Sequence, residues 1–197
     1  KVLHPVCGKP MIQYAIQAAQ LSGAEKTVLV IGHGAESVKN FLGEQVLYAV
    51  QEEQLGTGHA VQCAFSALPE GDELILVTYG DMPLLTEETL QVLVQTQKNN
   101  SGPMTMVTMI SDDPKGFGRI IRGQDSSVVA IVEEVQCTSE QLLIRELNVG
   151  AYCFDATWLK NAVQRLPLSP KGEYYLTDVV GIAVQDGLRV DAITVDD

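Results

Sequence analysis

The sequence predicts an α/β fold: a mixed, mostly parallel sheet in three layers, helices covering both faces, with one inserted β-hairpin. Three observations carry this. Short aliphatic and β-branched runs alternate with segments of helical periodicity. Short Gly- and Pro-containing loops join them, as in repeated strand–helix units. Later in the chain, two strand-like runs flank the turn Gly123-Gln124-Asp125-Ser126, which breaks the alternation with a hairpin.

Taken in order, Met11, Ile12, Ala15, Ile16 and Ala19 recur at helical spacing, with Gln13, Gln17 and Gln20 off that stripe, and Gly23 ends the helix. Thr27 to Ile31 is a continuous β-branched run of the kind buried on both faces of a sheet. Gly32-His33-Gly34 leads into a helix from Ala35 to about Leu42, and Leu47 to Val50 is the next strand. A loop through Gly56 and Gly58 precedes a helix from His59 to Ala67. Leu74 to Val77 is a strand, and Thr86 caps a helix whose first turn carries Glu87 and Glu88, where carboxylates complement the dipole. Met104 to Ile110 is a strand, Gly118–Arg122 and Ser127–Val132 form the hairpin, and strand, helix, helix and strand complete the order near Arg189 to Val195.

Composition narrows the function classes. The 197 residues are 46% hydrophobic and 19% charged, which suits one domain with a substantial core, and no Pro-, Ser- or Gly-rich stretch divides them. The net charge is −12, with 13 Lys and Arg against 25 Asp and Glu. Such a surface repels phosphodiester backbones and anionic lipid, so neither nucleic acid nor membrane is an expected partner; a small phosphorylated ligand needs only a local cluster of donors or a cation. Cys7, Cys63, Cys137 and Cys153 form no Cys-x-x-Cys pair or common zinc spacing, and free thiols in a cytoplasmic protein are expected. No apolar run approaches the roughly 20 residues that span a bilayer.

In open α/β sheets ligands bind beyond the carboxyl ends of strands, where the suggestive polar loops fall. Asp81 follows the strand Leu74–Val77 between Gly80 and Pro83. It is placed either to hold Mg²⁺, a hard cation that accepts one or two carboxylates alongside phosphate oxygens, or to form a turn. Gln51 to Ala60 is the densest polar and glycine-rich stretch. Glycines let backbone approach a flat ligand, and the Gln51 amide can donate and accept, as a pyrimidine edge requires; the alternative is an ordinary loop leading into a helix. Gly32-His33-Gly34 lacks dinucleotide-fingerprint spacing and reads as structural. No Ser or Cys partner is suggested for His4, His33 or His59, so a hydrolase triad is unsupported. Glu133, Asn148, Glu173 and Tyr175 sit at segment ends, suited either to a hydroxyl-rich ligand or to capping.

From Lys1 to about Ile193 the sequence resembles the bacterial N-acetylglucosamine-1-phosphate uridyltransferases. The matching stretches are Lys1-Val2-Leu3-His4 with Gly8-Lys9-Pro10-Met11; Gln51 with Gln54-Leu55-Gly56-Thr57-Gly58-His59-Ala60; Tyr79-Gly80-Asp81-Met82-Pro83-Leu84; Gly116-Phe117-Gly118-Arg119-Ile120; Ile131-Val132-Glu133-Glu134; Glu146-Leu147-Asn148-Val149-Gly150; and Gly172-Glu173-Tyr174-Tyr175-Leu176-Thr177-Asp178. The second, third and last are specific in combination. The resemblance implies the Rossmann-like nucleotide-diphospho-sugar transferase fold and a Mg²⁺-dependent transfer of UMP from UTP to N-acetylglucosamine 1-phosphate for cell-envelope synthesis. It implies that Gln51, Gly56 and Thr57 hold uracil, Tyr79 and Gly80 line the nucleotide pocket, and Asp81 binds the metal. Gly118, Glu133, Asn148 and Tyr175 would contact the amino sugar with Glu173 in support, and Lys1 matches the lysine that ends the family's phosphate loop. Val149 and Val135 depart from the family's threonine and lysine.

The resemblance also implies a longer natural protein, of which residues 1–197 are a single nucleotidyltransferase domain truncated at both ends. The family's first strand and Leu-Ala-Ala-Gly-x-Gly-Thr-Arg-Met loop would precede Lys1, leaving a gap near the sheet's centre, and its second metal-binding residue, an asparagine, would follow Asp197. Bifunctional members continue into a β-helix acetyltransferase domain that builds a homo-oligomer. Two alternatives stand beside this reading: another sugar-1-phosphate nucleotidyltransferase, or a non-catalytic sugar-nucleotide-binding module.

Overall fold

Consecutive positive φ angles at Cys7 (50°) and Gly8 (82°) turn the chain back on itself within six residues. The result is a small antiparallel hairpin, β1 (Pro5–Val6) and β2 (Lys9–Pro10), which the hydrophobic pattern does not announce. The structure, a computed structural model, describes residues 1–68, 71 and 73–196. Helix α1 (Met11–Leu21) follows and buries Ile12, Ala15, Ile16 and Ala19 of the expected stripe together with Ala18, while Met11, at its first position, is half-buried. It closes where Gly23, at φ 100°, lets Ala24 N–H reach Ala19 O at 3.2 Å.

β3 (Val28–Ile31), α2 (Ala35–Leu42) and β4 (Leu47–Val50) form a parallel β-α-β unit, with Val28 opposite Leu47 and Ile31 opposite Val50. Its core joins Ile12 and Ile16 of α1 to Ile31, Val38, Leu42 and Val46. Val28, Leu29 and Val30 are half-buried rather than enclosed on both faces as expected. The physical reason is that β3 lies in a two-stranded sheet, which forms no ladder with the larger sheet among the described residues.

That larger sheet is built on β9. Its members are β5 (Leu74–Val77), β6 (Met104–Ile110), β7 (Arg119–Arg122), β8 (Val128–Val132), β9 (Glu146–Asp155) and β10 (Val190–Val195). One edge of β9 pairs with β6; the other is shared by β7, at Leu147, and β5, from Tyr152 to Asp155. The α/β class, the mixed sheet and the inserted β7–β8 hairpin are as the sequence predicts. The expected parallel bias holds for strand direction, since β5, β6, β7 and β10 run one way. The ladders of this sheet are nonetheless mostly antiparallel, because β9 runs against three of those strands.

Helices cover both faces. α3 (Thr57–Ala64), α5 (Ala156–Ala162) and α6 (Val179–Gln185) pack on the face carrying Met104, Met106, Tyr152 and Phe154. α1 and α4 (Glu87–Asn99) cover the other, where Val107, Ala151 and Cys153 meet Leu90 and Leu93. The alternation along β9 is the period of two that a strand imposes. Thr86 caps α4 as expected, accepting from Thr89 N–H at 3.3 Å. α3 begins at Thr57, two residues earlier than the sequence suggests, because Gly56 at φ 97° turns the chain directly into it, and it ends at Ala64 rather than Ala67.

Candidate functional site

The segment from Gln51 to Gly58 is pinned against the segment from Glu173 to Leu176. Gly58 N–H donates to Tyr174 O at 2.7 Å, Tyr174 N–H to Leu55 O at 2.8 Å, and Leu176 N–H to the Thr57 hydroxyl at 2.9 Å. Glycine is required at position 56, where φ is 97° and a Cβ would lie 2.6 Å from Tyr174 O. Between the segments lies a cavity of ≈ 310 Å³ lined by Gln51, Gln54, Gly56, Thr57, Ala60, Glu173 and Tyr175. Residues expected to serve base and sugar separately thus share one wall-to-wall space. Gly32 has a role in the same corner: a Cβ there would meet the Gln54 amide nitrogen at 2.8 Å and Gln51 O at 3.1 Å.

Gln51, at the end of β4, is 9% exposed. Its amide nitrogen lies 3.0 Å from Gly56 O and 3.1 Å from His59 Nδ1. On the far side of the His59 ring, Nε2 lies 3.7 Å from Cys63 Sγ. His59 therefore has a cysteine neighbour that the sequence reading did not suggest, although i, i+4 spacing on a helix places the two together. Burial pushes the Cys63 thiol up, away from the thiolate form.

Tyr79 connects this cavity to the rest. Its ring packs against Gly150, where a Cβ would lie 2.7 Å from Tyr79 Cδ2 and φ is 91°. Burial raises the Tyr79 phenol, the charges of Glu133 and Asp81 add to the rise, and hydrogen bonding with Tyr152 and Thr57 opposes it. Tyr152 is fully buried, which holds its phenol well above the ordinary range. Its hydroxyl lies 3.0 Å from Asn148 Oδ1 and 2.7 Å from Asn148 Nδ2, so it donates to the one or accepts from the other. Asn148 N–H in turn donates to Gly118 O at 2.9 Å. Glu133 accepts from the Thr177 hydroxyl at 3.1 Å, and burial together with Glu133 raises the nearby Asp178 carboxyl. Tyr79, beside Thr57 and Tyr152, thus lies between the expected nucleotide residues and the hydrogen-bonded Tyr152, Asn148 and Gly118 on the expected sugar side. Tyr152 and Thr177 were not among the sequence candidates. The available signal for Tyr152 was its even spacing from Asn148, which puts both on one strand face.

Lys1 Nζ donates to Asp81 Oδ2 at 2.7 Å. The Asp81 carboxylate holds the Lys1 ammonium above its ordinary range. Gly80 brings the loop onto α1, since a Cβ there would be 2.6 Å from Ile12 Cδ1. Asp81 Oδ1 accepts no hydrogen bond among the described residues, which also contain no group of three or more His, Cys, Asp or Glu placed to hold a metal. One free carboxylate oxygen fits a hard divalent cation completed by phosphate oxygens and water, and does not fit a site made by protein ligands alone.

The family model of the MobA-like NTP transferase domain matches residues 1–141. The chain belongs to that family. Over 193 residues, this MobA-like chain is 48% identical to the bifunctional protein GlmU of Exiguobacterium sibiricum, covering 98% of the chain and 43% of that relative. It is 46% identical to the GlmU of Heliobacterium modesticaldum over 198 residues, again covering 43% of it. The chain thus spans less than half the length of these relatives. A putative glucose-1-phosphate thymidylyltransferase from Bacillus anthracis, solved with sucrose, superposes with a TM-score of 0.77 at 20% identity over 99% of this chain and 78% of its own, a likeness of fold. No helix among the described residues is long and apolar enough to cross a membrane.

Proposed function

We propose that this domain binds a uridine nucleotide and an amino-sugar phosphate for the transfer of UMP from UTP to N-acetylglucosamine 1-phosphate. The observation that carries the reading is the cavity formed by Gln51, Gly56, Thr57, Glu173 and Tyr175, together with the Lys1–Asp81 pair, whose carboxylate is near enough to add to the rise of the Tyr79 phenol. Gln51, Gly56 and Thr57 hold the base, and Tyr79 and Gly80 flank the nucleotide. Gly118, Glu133, Asn148 and Tyr175 meet the sugar, with Glu173 in support.

The phosphate oxygen of the sugar 1-phosphate attacks the α-phosphorus of UTP in line, and the bond to pyrophosphate breaks. No protein nucleophile is needed; the work is positioning and charge neutralisation. Lys1 presents an ammonium to the phosphates. Asp81 is the carboxylate that would hold a divalent cation, Mg²⁺ in this reading, whose chemistry when bound is to offset phosphate charge. The approach of phosphate gives Lys1 a second anionic partner and relieves its hold on Asp81 Oδ2.

Calorimetry with UDP-N-acetylglucosamine, UDP-glucose, dTDP-glucose and CDP tests the assignment. Tightest binding of UDP-N-acetylglucosamine supports it; preference for another base or sugar assigns the domain to a different sugar nucleotide.

A further inference from the structure

We propose that His59 is a positioning residue that fixes which face of the Gln51 amide meets the bound base, and so sets the preference for uracil over cytosine. The inference rests on the uridine-nucleotide reading above. A backbone carbonyl can only accept, so the Gln51 side-chain atom 3.0 Å from Gly56 O must be the amide nitrogen. That nitrogen can only donate, so His59 Nδ1, 3.1 Å away, must be the unprotonated ring nitrogen. In the neutral ring the proton then sits on Nε2, the nitrogen facing Cys63 Sγ at 3.7 Å.

Gly56 and His59 thus take the two amide hydrogens of Gln51, leaving its carbonyl oxygen with no hydrogen bond among the described residues. This oxygen is also not among the buried unpartnered atoms, so it is open to solvent, and Gln51 lines the cavity while His59 does not. In this proposal that oxygen is the acceptor Gln51 turns toward the cavity it lines. Uracil seated with N3 toward it offers an N–H, whereas cytosine in the same seat offers a lone pair. A site built around a fixed hydrogen-bonding group rejects the analogue that leaves it unpaired. His59 acts through Gln51 and need not touch the ligand.

The test is calorimetry of the full chain with UDP and CDP, for the wild type, His59→Leu and His59→Asn. Loss of one hydrogen bond predicts that His59→Leu lowers the UDP-over-CDP preference about 2- to 10-fold. His59→Asn, whose side-chain oxygen can accept where Nδ1 did, restores most of it. A general loss of packing would weaken both ligands together and leave their ratio unchanged. Unchanged preference in a folded His59→Leu protein overturns the inference. Should that variant not fold, His59→Ala replaces it with the same two outcomes, and wild-type affinity for N3-methyl-UDP equal to that for UDP also overturns the inference. Absence of UDP binding to the wild type rejects the underlying uridine reading, and the inference with it. UDP binding with preference unaffected by His59 rejects the inference alone.

Discussion

Lys1 Nζ and Asp81 Oδ2 are 2.7 Å apart, so the cation and the carboxylate assigned to phosphate and metal neutralise each other across 80 positions of sequence. The pair sits at the surface, with side chains 77% and 34% exposed, and solvent screening makes its contribution to folding small. Lys1→Gln and Asp81→Asn are therefore expected to leave the melting temperature unchanged while lowering turnover by about 10²-fold or more. A variant that melts early, or that turns over normally, contradicts this division of labour. Asp81→Asn should also lower the Lys1 pKa, since Asp81 is what raises it, and NMR titration of the lysine Nζ reads this directly.

Gly56→Ala tests the junction of the two segments. The added Cβ meets Tyr174 O at 2.6 Å in a backbone conformation that disfavours side chains. The substitution should cost about 1–3 kcal/mol and weaken nucleotide binding, read by denaturation and calorimetry. Gly34→Ala shares the positive φ but has open space around its Cβ, so it should affect binding far less.

Tyr152→Phe removes the hydroxyl that pairs with Asn148 and lies beside Tyr79, while keeping the buried ring against Phe154. Sugar-nucleotide affinity should fall about 2- to 10-fold, with the fold retained. If the loss falls on free UDP as heavily as on UDP-N-acetylglucosamine, Asn148 is not a sugar contact.

The sequence made the elements legible because their periodicities are plain: the α1 stripe, the Thr86 cap and the hairpin around residues 123–126 reflect local chemistry. What it left hidden was long-range. Nothing local tells that β9 divides one edge between β5 and β7, or that three residues of β9, Val149 to Ala151, oppose Val107 at a register shift in the β6 ladder. That shift lies between Asn148 and Tyr152, the residues whose side chains then meet. The hairpin at Cys7–Gly8 is not legible in the sequence, because its strands are two residues long and carry no alternation. Candidate residues are legible as motifs, but Tyr152, which holds Asn148, and Cys63, beside His59, lie outside the polar loops where ligands are sought.

A pH dependence follows from Cys153, packed among Ala18, Leu90 and Leu93. Burial pushes its thiol up to about 12 from 9.0. The folded state holds this proton more tightly than the unfolded chain. The resulting stability is fully present below pH 9.0 and is lost as the pH rises toward about 12. Denaturation midpoints should fall across this window, and Cys153→Ala should flatten that part of the slope. Native Cys153 should also resist iodoacetamide at neutral pH, whereas exposed Cys7 reacts.

The most direct measurement is pyrophosphate release by the complete natural protein from UTP, N-acetylglucosamine 1-phosphate and Mg²⁺, compared with its Asp81→Asn variant. The account predicts release that requires both substrates and the cation and that falls steeply in the variant. No release from the wild type, or equal release from both proteins, contradicts it.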